Sequence, residues 1–236
     1  MTQIDIVLPA YNPYQGWEEE AISHLSALSA ALPEITLRVF IVPDGSKTGH
    51  SSEVRSRWSS SQWAVYYCDY PANQGKGYAV RHGVKQTDAP FVIYTDYDFP
   101  FTLDSYKQVV KSLLDGADVV IAHRESASYG RRIRFKRKIL SEISHFVNTF
   151  LSLPTTDTQG GLKGFSQVGK SIFLRTEIKR FLFDTEFICL ARRKKARINV
   201  VPGAIRPNII LSAMKARTIF REIYSIPKLI RARWFS

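Results

Sequence analysis

The sequence predicts an α/β fold with a mainly parallel central sheet flanked by helices. Three observations carry this reading. Apolar runs of strand length alternate with helical patterns through the first 125 residues, and the runs end in polar or proline-bearing turns. Hydrophobic residues make up 44% of the 236-residue chain, enough to bury a core and exclude wholesale disorder.

In chain order, "IDIVLPAY" reads as a buried strand from Ile4 to Leu8, interrupted at Pro9. "NPYQGWEEEAISHLSALSAALP" places Ile22, Leu25, Leu28 and Leu32 at helical spacing and ends at Pro33. "TLRVFIVPDGS" is a second strand stopped by a proline and a polar turn, "SSEVRSRWSS" a short helix, and "WAVYYCDY" a third strand. "GKGYAVRHGVKQT" starts a helix directly after glycines, and "FVIYTD" is the fourth strand. "TLDSYKQVVKSLLDG" is a helix with a Thr cap, followed by a fifth strand in "ADVVIAHR".

The second half changes character. Residues 1–130 hold 10 Lys/Arg against 15 Asp/Glu, net −5; residues 131–236 hold 23 against 6, net +17, which together give the chain's +12. Such concentration predicts an anionic partner: nucleic acid, membrane lipid or a phosphorylated substrate. Six of the eight residues 131–138 are basic, Arg131, Arg132 and Arg134 among them, ahead of an apolar helix carrying Ile139, Ile143, Phe146, Val147 and Phe150. Each basic residue held at an anionic membrane contributes ~1 kcal/mol. Near the C-terminus Ile219, Ile223, Ile226, Ile230 and Trp234 form one helical stripe, interleaved with basic residues and kinked or restarted at Pro227. That stripe suits either the lipid interface or packing on the protein's own core or a dimer partner. Cys68 and Cys189 match no metal spacing and point to a reducing compartment or to simple structural thiols. The start lacks the layout of a signal peptide, and no run reaches the about 18 apolar residues that span a bilayer, so a soluble or peripheral protein on the cytoplasmic side is expected.

In a parallel sheet, ligands bind where the carboxyl ends of the strands open a crevice. "PAYN", "PDGS", "NQGKG", "DYD" and "HR" all fall at that edge. Asp96 and Asp98, one residue apart, could close a solvated turn or capture a hard cation, Mg²⁺ or Mn²⁺. Lys76, between two glycines at a helix start, is placed either for a phosphate or for a plain turn. Asp44 offers oxygens to a base or ribose or merely closes an Asp-Gly turn; Arg124 could face a diphosphate or form a surface salt bridge.

Together, "IVLPAYN", "VPDGS", "NQGKGYAVRHG", "YTDYD", "DTQGGLKGF" and "FDTEFICLARR" resemble the family-2 inverting glycosyltransferases, particularly the dolichyl- or polyprenyl-phosphate sugar synthases, over roughly residues 3–202. The resemblance implies the nucleotide-sugar fold called GT-A and a UDP- or GDP-sugar donor. It matches Pro9, Tyr11 and Asn12 to the nucleotide loop and Asp44 to the second acid of the usual Asp-Asp-Gly-Ser. It matches Asp96 and Asp98 to the metal motif, Arg124 to the Arg after the fifth strand, Gln159 to the acceptor side, and Asp184 and Glu186 to Phe-Asp-x-Glu. The two acids are candidates for a general base, or for the first turn of a helix that they leave on different sides. The chain departs from the pattern at Pro43, at Pro100 and after "VVPGAIRP", where Arg206 and Lys215 stand in for a missing segment.

The expected organisation is a glycosyltransferase domain over 1–210, with a donor half 1–125 and an acceptor half 126–210, and a basic helical segment over 211–236. Arg131, Arg132, Arg134, Gln159 and Arg206 are the expected acceptor contacts. The expected activity is sugar transfer onto a lipid-linked acceptor, polyprenyl phosphate, at an anionic membrane surface. Two alternatives differ in kind: a hydroxyl acceptor on a growing polysaccharide or lipid-linked oligosaccharide, and a non-catalytic membrane- or nucleic-acid-binding module.

Overall fold

The computed structural model describes residues 1–124, 154–155, 157–207 and 226–234. Strands β1 (Thr2–Pro9), β2 (Ile35–Val42), β3 (Ala64–Tyr67), β4 (Phe91–Tyr94) and β5 (Val119–Arg124) alternate with helices. These are α1 (Trp17–Ala31), α2 (Ser52–Ser59), α3 (Lys76–Gln86) and α4 (Leu103–Leu114). Then come β6 (Lys163–Ser166), α5 (Gln167–Phe173), α6 (Phe183–Arg193), β7 (Ile198–Gly203) and α7 (Ile226–Trp234).

The seven strands form one sheet in the order β3-β2-β1-β4-β6-β5-β7. All neighbours run parallel except β6, which pairs antiparallel with both β4 and β5. The alternating pattern therefore predicted the first five strands, while β6 is an insertion it did not anticipate. Four residues, with a lysine at the start and a glycine within, are too short and too mixed to read as a strand.

The central strands β1, β2 and β4 are mostly apolar because helices cover both faces of the sheet there. Ile4, Ile6 and Leu8 of β1 pack with α1, α2 and α4, while Val7 packs with α3, α5 and α6 on the other face. Asp5 is the exception in β1, fully buried and compensated. It accepts a fork from Arg38 at 2.7 and 2.8 Å, and the backbone N–H groups of Asp88 and Ala89 at 3.1 and 3.0 Å.

The helix α4 follows Thr102 as expected, although the Thr102 hydroxyl meets Ser105 Oγ at 3.1 Å rather than a backbone N–H. The helix α6 starts at Phe183 with Asp184 and Glu186 in its first turn, where carboxylates oppose the positive helix end. Pro227 lies within the helix α7, whose described residues are Ile226–Trp234; what precedes it lies outside the described residues. Leu229 and Ala232 of α7 are buried in the core cluster that contains α6. Arg131, Arg132 and Arg134, the apolar helix after them, and Lys215 to Ile223 lie outside the described residues.

Candidate active site

The carboxyl ends of β1, β2, β4 and β5 open onto a common rim, and the order of the sheet brings the sequence-predicted turns together there. On the first turn, Pro9 is buried, Tyr11 is exposed, and Asn12 takes a left-handed backbone with φ 44°. Asn12 Oδ1 accepts from Lys47 N at 2.8 Å, and Ser46 Oγ accepts from Asn12 N at 2.8 Å. The loops after β1 and β2 are thus laced into one wall.

Asp44 stands at this wall, but its carboxylate is given to the protein itself. Tyr70 Oη donates to Oδ1 at 2.7 Å and Asn73 Nδ2 to Oδ2 at 2.7 Å, while Gln74 N donates to Oδ1 at 2.8 Å. Gly75 N donates to both oxygens, at 3.3 and 3.2 Å. The residue is 3% exposed. Asp44 therefore sets the 70–75 loop, and with it the start of α3, rather than facing the open rim. Gly75 adopts φ 100°, and an added Cβ would strike Lys179 O at 2.7 Å, which is why a glycine precedes the helix.

Lys76, the first residue of α3, delivers its ammonium onto Asp96 Oδ1. Burial alone would push this amine down, but Asp96, Asp184 and Asp98 hold it above its ordinary value. Asp98 is pushed up to about 6, first by burial and then by the like charge of Asp96. Its Oδ1 is buried and has no hydrogen-bond partner among the described residues. A carboxylate oxygen buried without a donor is costly unless a cation meets it.

Arg206, an expected acceptor contact, reaches the turn that carries Asp98. Its guanidinium donates to Asp98 O at 2.6 Å and Phe99 O at 2.8 Å, and reaches Glu20 at 2.8 Å. Arg206 N donates to Pro100 O at 2.9 Å. Five donors in a rigid fork suit this work, which holds the turn carrying Asp98 in place.

Asp184 and Glu186 diverge, as residues two apart on a helix must. Asp184 points into the rim, where Lys163 Nζ meets Oδ1 at 2.7 Å and Tyr94 Oη donates to the same oxygen. Lys163 is fully buried and also donates to Gly160 O at 2.6 Å; burial pushes its amine down, against the pull of Asp184. Glu186 turns away. It accepts Glu177 N at 3.0 Å and Ile178 N at 2.8 Å, and lines a separate cleft of about 110 Å³ with Arg193 and Lys228. Burial pushes its carboxyl up, opposed by those N–H groups. As a general base at the rim Glu186 is therefore misplaced.

Arg124 closes on Asp157 rather than standing open to a diphosphate: N, Nε and Nη2 donate at 2.9, 2.7 and 2.5 Å. This pins the end of β5 to the "DTQGG" turn. Gln159 is half-buried on that turn, and Gly161 packs so closely on Asp96 that any Cβ would clash with the carboxylate. Lys163, Asp157 and Tyr94 are the site residues to which the sequence assigned no role. Their only local signal is a lysine set in the short apolar stretch "GLKGF".

Among the described residues no group of three or more His, Cys, Asp or Glu forms a ready-made metal cage. Asp96 and Asp98 nevertheless fit a hard cation that completes its shell from a diphosphate, since both offer carboxylate oxygen and Asp98 Oδ1 lacks a partner.

Residues 5–182 match the family model Glycosyl transferase family 2. The chain belongs to that family. Among curated relatives, it is 26% identical over 209 residues to dolichyl-phosphate beta-glucosyltransferase ALG5C of Trichomonas vaginalis, covering 83% of this chain and 61% of the relative. It is 28% identical over 206 residues to the dolichyl-phosphate beta-glucosyltransferase of Homo sapiens, covering 80% and 63%. The chain thus spans under two thirds of these relatives' length. Among solved structures, it resembles glucosyl-3-phosphoglycerate synthase of Mycobacterium tuberculosis in complex with Mn²⁺, UDP and glucosyl-3-phosphoglycerate. The TM-score is 0.64 at 14% identity, covering 98% of this chain and 80% of that one. At such identity the likeness shows the GT-A fold. No described helix of this family 2 chain is long and apolar enough to cross a membrane.

Proposed function

We propose that this family 2 chain is an inverting glycosyltransferase that takes a sugar from a UDP- or GDP-sugar and joins it to polyprenyl phosphate at the cytoplasmic face of a membrane. The relatives named dolichyl-phosphate beta-glucosyltransferases support the acceptor class, and the neighbour bound to UDP and Mn²⁺ supports the donor class.

One observation carries the choice of acceptor. Both acids expected as a general base are already engaged, Glu186 by backbone N–H groups away from the rim and Asp184 by Lys163 and Tyr94. A hydroxyl nucleophile needs a free base near neutral pH. A phosphate monoester is already an anion, and needs positioning instead. Its oxygen attacks the anomeric carbon opposite the diphosphate, the carbon–oxygen bond to the diphosphate breaks, and the nucleoside diphosphate leaves with the electron pair. No proton has to be removed.

In this reading the wall built from Pro9, Tyr11, Asn12 and the Asp44-anchored loop holds the nucleotide, and Lys76 attracts the diphosphate. Asp96 and Asp98 would hold a divalent ion, Mg²⁺ or Mn²⁺, which when bound neutralises charge on the leaving group. Arg206 keeps the Asp98 turn rigid, and the Arg124–Asp157 pair shapes the acceptor side with Gln159. The basic half supplies the attraction to anionic lipid.

The test is release of UDP or GDP from a panel of sugar nucleotides, with Mn²⁺ or Mg²⁺, in the presence and absence of polyprenyl phosphate. Turnover that depends on the lipid phosphate, and that falls about 100-fold or more in Asp98→Ala, is expected. No turnover with any sugar nucleotide overturns the proposal.

A further inference from the structure

Asp96 already has a cation, and the chain itself supplies it. Lys76 Nζ is bonded to Asp96 Oδ1, the kind of oxygen a divalent ion would need. The ammonium is delivered from a fixed point, because Asp44 grips Gln74 N and Gly75 N immediately before α3. On its other side Asp96 packs against Gly161, where an added Cβ would come within 2.2 Å of Oδ2. The pair is partly open to the rim, with side-chain exposures of 21% for Lys76 and 34% for Asp96, so an arriving ion can reach it.

The neighbouring charges decide what displacement costs. Asp184 also attracts Lys76, but it is already matched by the buried ammonium of Lys163 at 2.7 Å. A bare ion taking Asp96 would leave Lys76 beside a second cation and without a new anion. Like charges brought together in a partly buried site repel each other, because little water screens them. An ion that arrives with a diphosphate brings the anion with it.

We propose that Lys76 is the resident counter-ion of the Asp96/Asp98 pair, and that it makes divalent-cation binding at this site depend on a nucleoside diphosphate. This rests on the donor-site reading above and adds a positioning role to it. The ammonium leaves Asp96 when the ion and diphosphate enter together, and passes to the diphosphate oxygens. No covalent bond changes.

The experiment titrates the full chain with Mn²⁺ alone, reading unbound Mn²⁺ by electron paramagnetic resonance, and repeats the titration with UDP or GDP. Wild type is compared with Lys76→Met and Lys76→Arg. Lys76→Met should bind Mn²⁺ alone at least about fivefold more tightly than wild type, and the nucleotide should then tighten it less. Lys76→Arg, which keeps the charge, should behave as wild type. A double variant, Lys76→Met with Asp96→Asn, should lose the tight site, which locates the ion. Thermal unfolding with and without Mn²⁺ gives a second readout: the ion should raise the midpoint of Lys76→Met more than that of wild type. Equal or weaker Mn²⁺ binding by Lys76→Met overturns the inference. Failure of every protein to bind a nucleoside diphosphate would instead sink the donor-site reading, while the Mn²⁺-only comparison still decides the role of Lys76.

Discussion

Asp184 meets Lys163 at 2.7 Å, whereas Glu186, one half-turn on, accepts the N–H groups of Glu177 and Ile178. The same short motif thus serves two unrelated tasks, one at the rim and one behind it. For Glu186→Gln we expect turnover close to wild type and a loss of about 1 kcal/mol of unfolding free energy, because an amide oxygen still accepts both bonds. Steady-state kinetics and urea unfolding check this, and abolished turnover would return Glu186 to the chemistry. Asp96 and Asp98 were legible as a pair from their spacing and their place after an apolar run, although both lie past the end of β4, on the turn that follows it, where strand alternation no longer applies. Lys163 was not, since a buried lysine is recognised by the charge that matches it, and that charge, Asp184, lies 21 residues away on α6. Arg206 was legible as a basic residue of the right region, but its anchors, the carbonyls of Asp98 and Phe99, lie more than 100 residues back.

The helix α3 shows why one element controls the site. Gly83 lies against β1 and β2, where an added Cβ would come within 2.6 Å of Val7 Cγ1 and 2.8 Å of Val42 Cγ2. At its start Gly77 lies under Phe183, whose Cβ would be 2.7 Å from a Cβ added there. These contacts seat α3 low on the sheet, so that Lys76 at its first turn reaches Asp96. Gly83→Ala should cost about 1–3 kcal/mol through overpacking, measured by urea unfolding. A variant as stable as wild type would mean that the helix shifts without penalty, and the close seating would then carry no weight. The glycines and the lysine of "NQGKG" were readable as a helix start; the depth of the helix on the sheet was not, because it depends on which strands lie beneath it.

Across the whole molecule, charge is divided between two halves, net −5 over residues 1–130 and +17 over residues 131–236. In α7, Leu229 and Ala232 are committed to the core while Lys228 and Arg231 remain exposed. A membrane-directed role for the basic half predicts sedimentation with vesicles containing anionic phospholipid, little with neutral vesicles, and a steep loss of binding as salt rises. Equal binding to neutral and anionic vesicles would refute an electrostatic attachment. What the sequence determined by itself was the layered α/β plan and the edge at which its turns gather, because alternation of apolar segments is a local signal that each segment carries alone. Only the tertiary structure decided the antiparallel entry of β6 and the partner of each buried charge. Tyr94 reaches Asp184 across 90 residues and Asp44 takes the loop at 70–75, and such pairings follow from the order of strands in the sheet, which no single stretch of chain contains.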